Sequence, residues 1–447
     1  MNYISTSFIF FALIVFSSTS FTQLEWIKDP NNPVMSGGAS GTWYRHVWCP
    51  KVLYNADSAR YEMWFSAAVD PVNWNTYRIG FATSINGITW IKHDMPVLSP
   101  DPGTWDGGGV GGHSVIRESG GEYKMWYTGL NESLDTFRIG YAASDNGISW
   151  TKDPMPVMNP GEQEWESTGP FTCIVMPVSG EYKMWYGGVN TDPTFICNIG
   201  YATSLDGKTW DRDTLNNPVL RIGEPGAWDD NFVGKPYVLQ IGARYYMWYS
   251  GEQNASIARQ IGLAYSSNGI DWMKYDDSTT TSVAYANSDP VLKPSFGQWD
   301  ADYVQYPSIL LIGDTLHMWY DGSRSPATTY LWRIGHATLH IDSLLIIPTD
   351  IRNIESTQSL NKFVLHPNYP NPFNPTTTIE FDLPNTSEVT LKVYNILGEE
   401  VAKLVSDRLS AGSYSYEWDA SNLASGVYLY RLEADGYVET RKMILMK

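Results

Sequence analysis

Basic residues are scarce in this chain: 30 Lys and Arg stand against 48 Asp and Glu, giving a formal charge of −18 over 447 residues. No basic stripe is visible, which excludes a phosphate-tracking nucleic-acid binder and argues equally against an anionic membrane surface. Cysteine is rarer still. Cys49, Cys173 and Cys197 are an odd set whose spacing matches no zinc motif, so buried free thiols are expected, and no metal or cofactor. Long apolar runs are missing after the amino terminus. The one near it, Phe8 to Phe16, is too short to span a bilayer and is followed by small and polar residues. Residues 1–22 therefore read as an export signal cleaved before Gln23, although Lys and Arg are absent from its leading end. The mature chain is expected to carry no membrane insertion.

Aromatics, by contrast, are plentiful, with 19 Trp and 29 Tyr, and they repeat. Met-Trp-aromatic occurs at Met63-Trp64-Phe65, Met125-Trp126-Tyr127, Met184-Trp185-Tyr186, Met247-Trp248-Tyr249 and Met318-Trp319-Tyr320. Each is followed by Ile-Gly, with the glycines at 80, 140, 200, 262 and 335. Next comes a Gly-containing turn ending on a tryptophan (Trp90, Trp150, Trp210, Trp272), then Pro-Val, then a tryptophan at 43, 105, 165, 228 or 299. A period of about 60 residues built from period-two alternation and Asn-Gly or Asp-Gly turns means four strands per repeat. Radial repetition of four-stranded units makes an all-β propeller, here over residues 23–347 with five blades. The fifth repeat lacks its fourth-strand tryptophan. Leu24-Glu25-Trp26-Ile27-Lys28-Asp29 resembles Thr89-Trp90-Ile91-Lys92-His93-Asp94, so the N-terminal strand is expected to close the ring.

After a linker at 348–362 the pattern changes to short alternating strands, predicting a small Ig-like β-sandwich over 363–447. Asn371-Pro372-Phe373-Asn374-Pro375 and the closing Gly426-Val427-Tyr428 resemble the type A sorting domain of the type IX secretion system. That resemblance implies export to the cell surface or medium and the secretion translocon as a partner. The Met-Trp-Tyr, Ile-Gly-Tyr-Ala and Asp-Gly-x-x-Trp elements of the propeller resemble the arabinanase, levansucrase and invertase superfamily, which holds glycoside hydrolase families 32, 43 and 130. The resemblance implies a polysaccharide or oligosaccharide ligand.

Enzymes of that kind place carboxylates near the start of the innermost strands, often just before a proline, where one acid protonates the leaving oxygen and another attacks or activates water. Aligning the five innermost strands on their apolar pairs puts Cys49, Gly112, Phe171, Lys235 and Tyr306 at that position, and none is acidic. Acids do follow the repeat tryptophans, at Asp106, Glu166, Asp229 and Asp300. Recurrence in register marks Asp106, Asp229 and Asp300 as loop-fixing residues. The less regular Glu166, Asp230 and Asp302 are the catalytic candidates. His46, Trp48, His113, Lys235, Tyr306, Asp321 and Arg324, carried by loops expected at one face, are the candidate substrate contacts. Two functions stay open: a glycoside hydrolase or phosphorylase with displaced acids, and a glycan-binding propeller without catalysis.

Overall fold

A computed structural model describes residues 24, 26–133, 135–191, 195–254, 258–277, 280, 282–324, 331–346, 363–365, 368, 373–396, 398–410 and 412–446. The expected export signal and linker, residues 1–22 and 348–362, lie outside the described residues. Two compact units divide between Ile347 and Pro348.

The first unit is five antiparallel four-stranded meanders. Blade 1 runs His46–Asn55, Arg60–Ala68, Arg78–Ser84 and Ile91–Lys92. Blade 2 runs Gly109–Arg117, Tyr123–Leu130, Phe137–Ser144 and Thr151–Lys152; blade 3 runs Gly169–Val178, Glu181–Asn190, Ile196–Ser204 and Asp211–Arg212. Blade 4 is Phe232–Ile241, Arg244–Glu252, Arg259–Ser266 and Met273–Lys274. Blade 5 supplies only Tyr303–Ile312, Thr315–Ser323 and Arg333–His340; its fourth strand is Ile27–Lys28, paired to Thr338 and Ala337. The ring therefore closes through the N-terminal strand. Each Pro-Val-x segment folds back on the isoleucine of Ile-Gly, as in Leu98 on Ile79, Met158 on Ile139, Leu220 on Ile199 and Met35 on Ile334.

The repeated residues explain the repeated geometry. Serine with asparagine, or with Asp206 in blade 3, caps each turn between strands three and four of blades 1 to 4: Ser84 Oγ accepts from the Gly87 N–H at 2.9 Å, and Asn86 Oδ1 accepts from Ile88 and Thr89. The turn glycine sits at φ 75°, a conformation that strongly favours glycine. Its carbonyl then ties neighbouring blades together. Trp64 of blade 1 donates its indole N–H to Gly147 of blade 2 at 2.8 Å, Trp126 to Gly207 at 2.7 Å, Trp185 to Gly269 at 2.7 Å and Trp319 back to Gly87 at 2.8 Å. Blade 5 has no such turn, because its fourth strand, Ile27–Lys28, does not follow its third in sequence. The indole N–H groups of Trp248 and Trp26 accordingly find no acceptor among the described residues, although the two rings pack edge to face at 6.2 Å.

A lock of acid, tyrosine and cation repeats inside blades 2 to 5. Tyr127 and Lys152 donate to Asp106 at 3.1 and 2.7 Å, and Tyr249 and Lys274 to Asp229 at 3.1 and 2.6 Å. Tyr320 and Lys28 donate to Asp300 at 3.2 and 2.6 Å, so the closing strand carries the blade 5 cation. Blade 1 lacks the whole set: Tyr44 replaces the acid, Phe65 replaces the tyrosine, and Lys92 turns to the Ser36 carbonyl.

The second unit stacks two sheets. One is Val364–Leu365, Thr376–Leu383 and Gly412–Asp419; the other orders Glu400–Leu409, Ser387–Asn395, Gly426–Ala434 and Tyr437–Leu445. Phe381, Leu391, Tyr430 and Met443 lie in its core. Phe373 of the Asn-Pro-Phe-Asn-Pro element is buried and hydrogen-bonds both ways with the last strand, through Ile444 and Met446.

Candidate functional site

All five innermost strands carry a bulge near their start. Two residues face one partner residue between Trp48 and Lys51, Gly111 and Ser114, Gly234 and Tyr237, and Gln305 and Ser308, and in blade 3 Thr172 is the single extra residue between Phe171 and Cys173. At each bulge one residue takes the left-handed conformation: Cys49 (φ 53°), Gly112 (φ 53°), Thr172 (φ 53°), Lys235 (φ 55°) and Tyr306 (φ 52°). Such a bulge re-aims a side chain and bends the strand. Four of the five are not glycine, and each left-handed residue costs on the order of 1–3 kcal/mol, so the surroundings must hold it. Blade 3 corrects the sequence alignment by one residue. Val175, not Ile174, faces the motif methionine Met184, which makes Thr172 rather than Phe171 the equivalent position.

Neighbouring blades hold the bulges. The Gly112 N–H donates to Ser66 Oγ at 3.2 Å, Thr172 to Thr128 Oγ1 at 2.9 Å, Tyr306 to Ser250 Oγ at 3.1 Å and Cys49 to Asp321 Oδ1 at 2.9 Å. Between blades 3 and 4 the acceptor position is Gly187, where an added Cβ would meet the Phe171 carbonyl oxygen at 2.6 Å. Lys235 is thus the bulge residue without a hydroxyl or carboxylate clamp from the preceding blade.

Above the bulges opens a cavity of about 310 Å³. Two rings of equivalent positions shape it: Trp48, Gly111, Phe171 and Gln305 just before the bulges, and Tyr77, Arg259 and Trp332 at the start of third strands. Trp74 stacks on Tyr77 at 4.5 Å and leans on Phe171 at 6.3 Å, while Phe195 stacks on Phe232 at 6.1 Å. The polar groups gather between blades 4 and 5. Lys235 Nζ donates to Gln305 Oε1 at 2.5 Å and sits 4.0 Å from the centroid of the Tyr306 ring. Arg259 donates to the same oxygen at 2.9 Å and pairs with Glu252. The Gln305 amide then donates to Asp321 Oδ2 at 2.9 Å, which fixes which way the amide points. Burial lowers the Lys235 ammonium well below its usual range, reinforced by Arg259, and burial likewise pushes the Asp321 carboxyl upward. A second cavity, of about 20 Å³, lies among the bulges and is lined by Cys49, Lys51, His113, Cys173 and Tyr237. Burial pushes the thiols of Cys49 and Cys197 up to about 12. No group of three metal-ligating side chains occurs among the described residues.

Of the residues predicted from sequence, Trp48, Lys235 and Tyr306 line the main cavity. Asp321 stands behind it through Gln305, and His113 lines the small cavity instead. His46 is buried at the start of blade 1 outside the lining, and its ring is held at about pKa 4 by burial and Arg45. Arg324 points elsewhere, donating to the Gly297 carbonyl at 3.1 Å from an exposed position. The three proposed acids do not converge on the cavity. Glu166 is the blade 3 member of the lock series, accepting from Tyr186 at 2.9 Å and Arg212 at 3.1 Å. Burial raises its carboxyl above the ordinary range while Arg212 and Tyr186 pull it back. Asp230 braces its loop by accepting from the Gly226 and Asn254 N–H groups, both at 2.7 Å. Asp302 joins strands through its backbone, to Arg259 and Ser323. From the segment between Lys274 and Ser288, Ala284 accepts from the Trp228 N–H and Ser288 from its indole N–H.

Arg259 and Gln305 escaped the sequence reading. A signal existed for Arg259: blades 1, 2 and 5 place arginine directly before Ile-Gly, whereas blade 4 has Arg259-Gln260-Ile261. A one-residue shift on a strand reverses the face a side chain takes. It moves this arginine from the rim position of Arg78 to the cavity position of Tyr77.

Comparison with known proteins agrees with both units. Residues 368–446 match the secretion system C-terminal sorting domain family, a domain that marks a chain for type IX secretion or the cell surface. The propeller is similar to an uncharacterized protein of Mycobacterium tuberculosis, 27% identical over 240 residues, covering 51% of this chain and 72% of that one. It is also similar to a 1,2-beta-oligomannan phosphorylase of Thermoanaerobacter sp., 22% identical over 257 residues, covering 55% and 75%. Among solved structures, one reported for glycoside hydrolases of the GH130 family of mannoside phosphorylases superposes with a TM-score of 0.54 at 18% identity, covering 70% of this chain and 93% of the other. The fold is that of the glycosidase-type propellers.

Proposed function

We propose that the propeller is a secreted glycan-binding module that seats a sugar in the aromatic cavity and does not hydrolyse it by the paired-carboxylate route. The sorting domain supports a place outside the cell, through the type IX translocon. The phosphorylase relative and the glycosidase-type fold support a sugar as ligand. Aromatic faces beside hydrogen-bonding groups suit a sugar ring, whose C–H face stacks while its hydroxyls need partners.

One observation carries the non-catalytic part. The bulge residues are Cys49, Gly112, Thr172, Lys235 and Tyr306, and no aspartate or glutamate is among the described residues that line the cavity. Two-carboxylate chemistry needs acids roughly 5–10 Å apart across the scissile bond. The nearest alternative is an enzyme that uses Asp321 and Glu252, the acids bonded to the lining residues Gln305 and Arg259.

Affinity electrophoresis of the full chain against a polysaccharide panel, run beside assays of reducing ends and sugar phosphates with and without phosphate, tests the reading. Retention without release, lost in Trp74→Ala, is expected. Release that disappears in Asp321→Asn or Glu252→Gln would make the protein an enzyme.

A further inference from the structure

The cavity is lined by a buried lysine that no described carboxylate touches. Lys235 is 4% exposed, and its ammonium bonds the neutral Gln305 amide, forming no ion pair with a described carboxylate. Beside it, Arg259 pairs with Glu252 through Nε and donates Nη1 to Gln305. Burying an ammonium without an anion is unfavourable by several kcal/mol, and that cost falls when an anion arrives. The backbone adds to the case. Lys235 occupies a left-handed bulge, and Gly187 leaves the space beside it without the clamp that the other four bulges have. Local strain and the lack of a direct ion pair converge on one side chain that faces a ligand-sized space.

We infer that the cavity takes an acidic sugar, a hexuronic acid residue whose carboxylate lands on Lys235 and Arg259 while its ring rests among Trp48, Trp74 and Tyr77. This rests on the glycan-binding reading above and adds the charge of the ligand. The surroundings favour a monoanion over a dianion. Glu252 pairs with Arg259, and Asp321 stands behind the neutral Gln305 amide, so Lys235 is the cation that no described carboxylate touches, while two acids lie close behind the donors. A dianionic phosphate would press a second charge toward Glu252 and Asp321. The donors also suffice: Lys235 spends one of its three N–H bonds on Gln305, and Arg259 keeps its Nη2 group for a planar carboxylate. The groups facing Lys235 from the packed strands are Arg259, Glu252, Asp321, Cys49 and the Tyr306 ring.

Isothermal titration of the full chain decides it, with galacturonate and glucuronate oligosaccharides, their methyl esters, the neutral parent sugars and inorganic phosphate as probes. The acidic sugars should bind about ten- to a hundredfold more tightly than their methyl esters, the loss expected when a charge-assisted hydrogen bond is removed. Lys235→Met should erase that difference between acid and ester; Arg259→Gln should do the same and serves if Lys235→Met does not fold. Equal affinity for acid and ester, or an acid preference that survives both substitutions, would overturn the inference and leave glycan binding standing. Tight binding of phosphate with no preference for uronates would also overturn it. Failure of every sugar, acidic or neutral, would sink the glycan-binding reading itself.

Discussion

Glu166→Gln separates the two roles that a buried acid near a sugar cavity can play. If Glu166 is a lock residue, the substitution keeps shape and removes the charge that Tyr186 and Arg212 address at 2.9 and 3.1 Å. A hydrogen bond to a charged group is worth about 1.5–3 kcal/mol. Arg212 is about one-fifth exposed and can turn to water, which discounts its share. The expected loss is therefore roughly 2–3 kcal/mol, with Tyr186→Phe alone costing about 1 kcal/mol. Because the two partners touch, the double variant should fall short of the sum by at least about 0.5 kcal/mol. For a unit this large the melting temperature should drop by roughly 4–6 °C in Glu166→Gln. Calorimetry of the full chain reads the melt, and the same samples give sugar affinity or turnover. Unchanged melting with lost turnover or binding would refute the reasoning and return Glu166 to the chemistry.

Further tests follow from burial and from the seam. The rings of His46, His113 and His336 are lowered from 6.5 to about 4 by burial. Each folded value lies below the unfolded one, so the stability they protect is present above pH 6.5 and is lost as pH falls toward 4, by up to about 3 kcal/mol per ring. Denaturant melts between pH 7.5 and 4.5 should show that fall, and Asp321→Asn should steepen it, since a raised carboxyl favours the folded state in the opposite sense. All three cysteines are free and buried, so Ellman's reagent should find no thiol in the folded chain and three after denaturation; a count below three would mean a disulfide. Hydrogen exchange should be fastest in Ile27–Lys28 and the blade 5 strand it pairs with, where the Trp-to-glycine tie is absent. Uniform protection across the five blades would refute that.

The fold was legible because it is written five times. Tryptophans at 64, 126, 185 and 319 and glycines at 87, 147, 207 and 269 are donors and acceptors of the same ties, and a repeat that lacks its turn shows where the ring is cut. Glu166 was misread for the reason that made the rest readable. Its pairing with Arg212 instead of lysine looks irregular in sequence, yet the triad of acid, hydroxyl and cation is unchanged. The cavity was only half legible. Lys235 and Tyr306 follow from the strand alignment and Trp48 from the loops expected at one face, but Arg259 and Gln305 depend on which face each side chain takes and on partners about 50 to 70 residues away in sequence. Blade 3 slipped by one residue because Ile174-Val175-Met176 offers two apolar pairs, and only pairing with Met184 selects between them.

Function in this propeller must reside where the repeats disagree. The ties and locks recur with nearly constant chemistry, and altering one costs stability in every blade that leans on it. The bulge position imposes no such chemistry, since it accommodates cysteine, glycine, threonine, lysine and tyrosine at nearly the same φ. What holds four of the five is a side-chain oxygen of the neighbouring blade that accepts the bulge N–H and is indifferent to the side chain the bulge presents. The scaffold therefore permits the five bulge side chains to change together without unfolding. A site with five replaceable positions can lose every carboxylate and gain a lysine, and the sole bulge lacking a hydroxyl or carboxylate clamp is the one that carries it. This makes Lys235, and not the regular acids of the blades, the residue whose replacement should change what the protein binds while leaving how it folds nearly untouched.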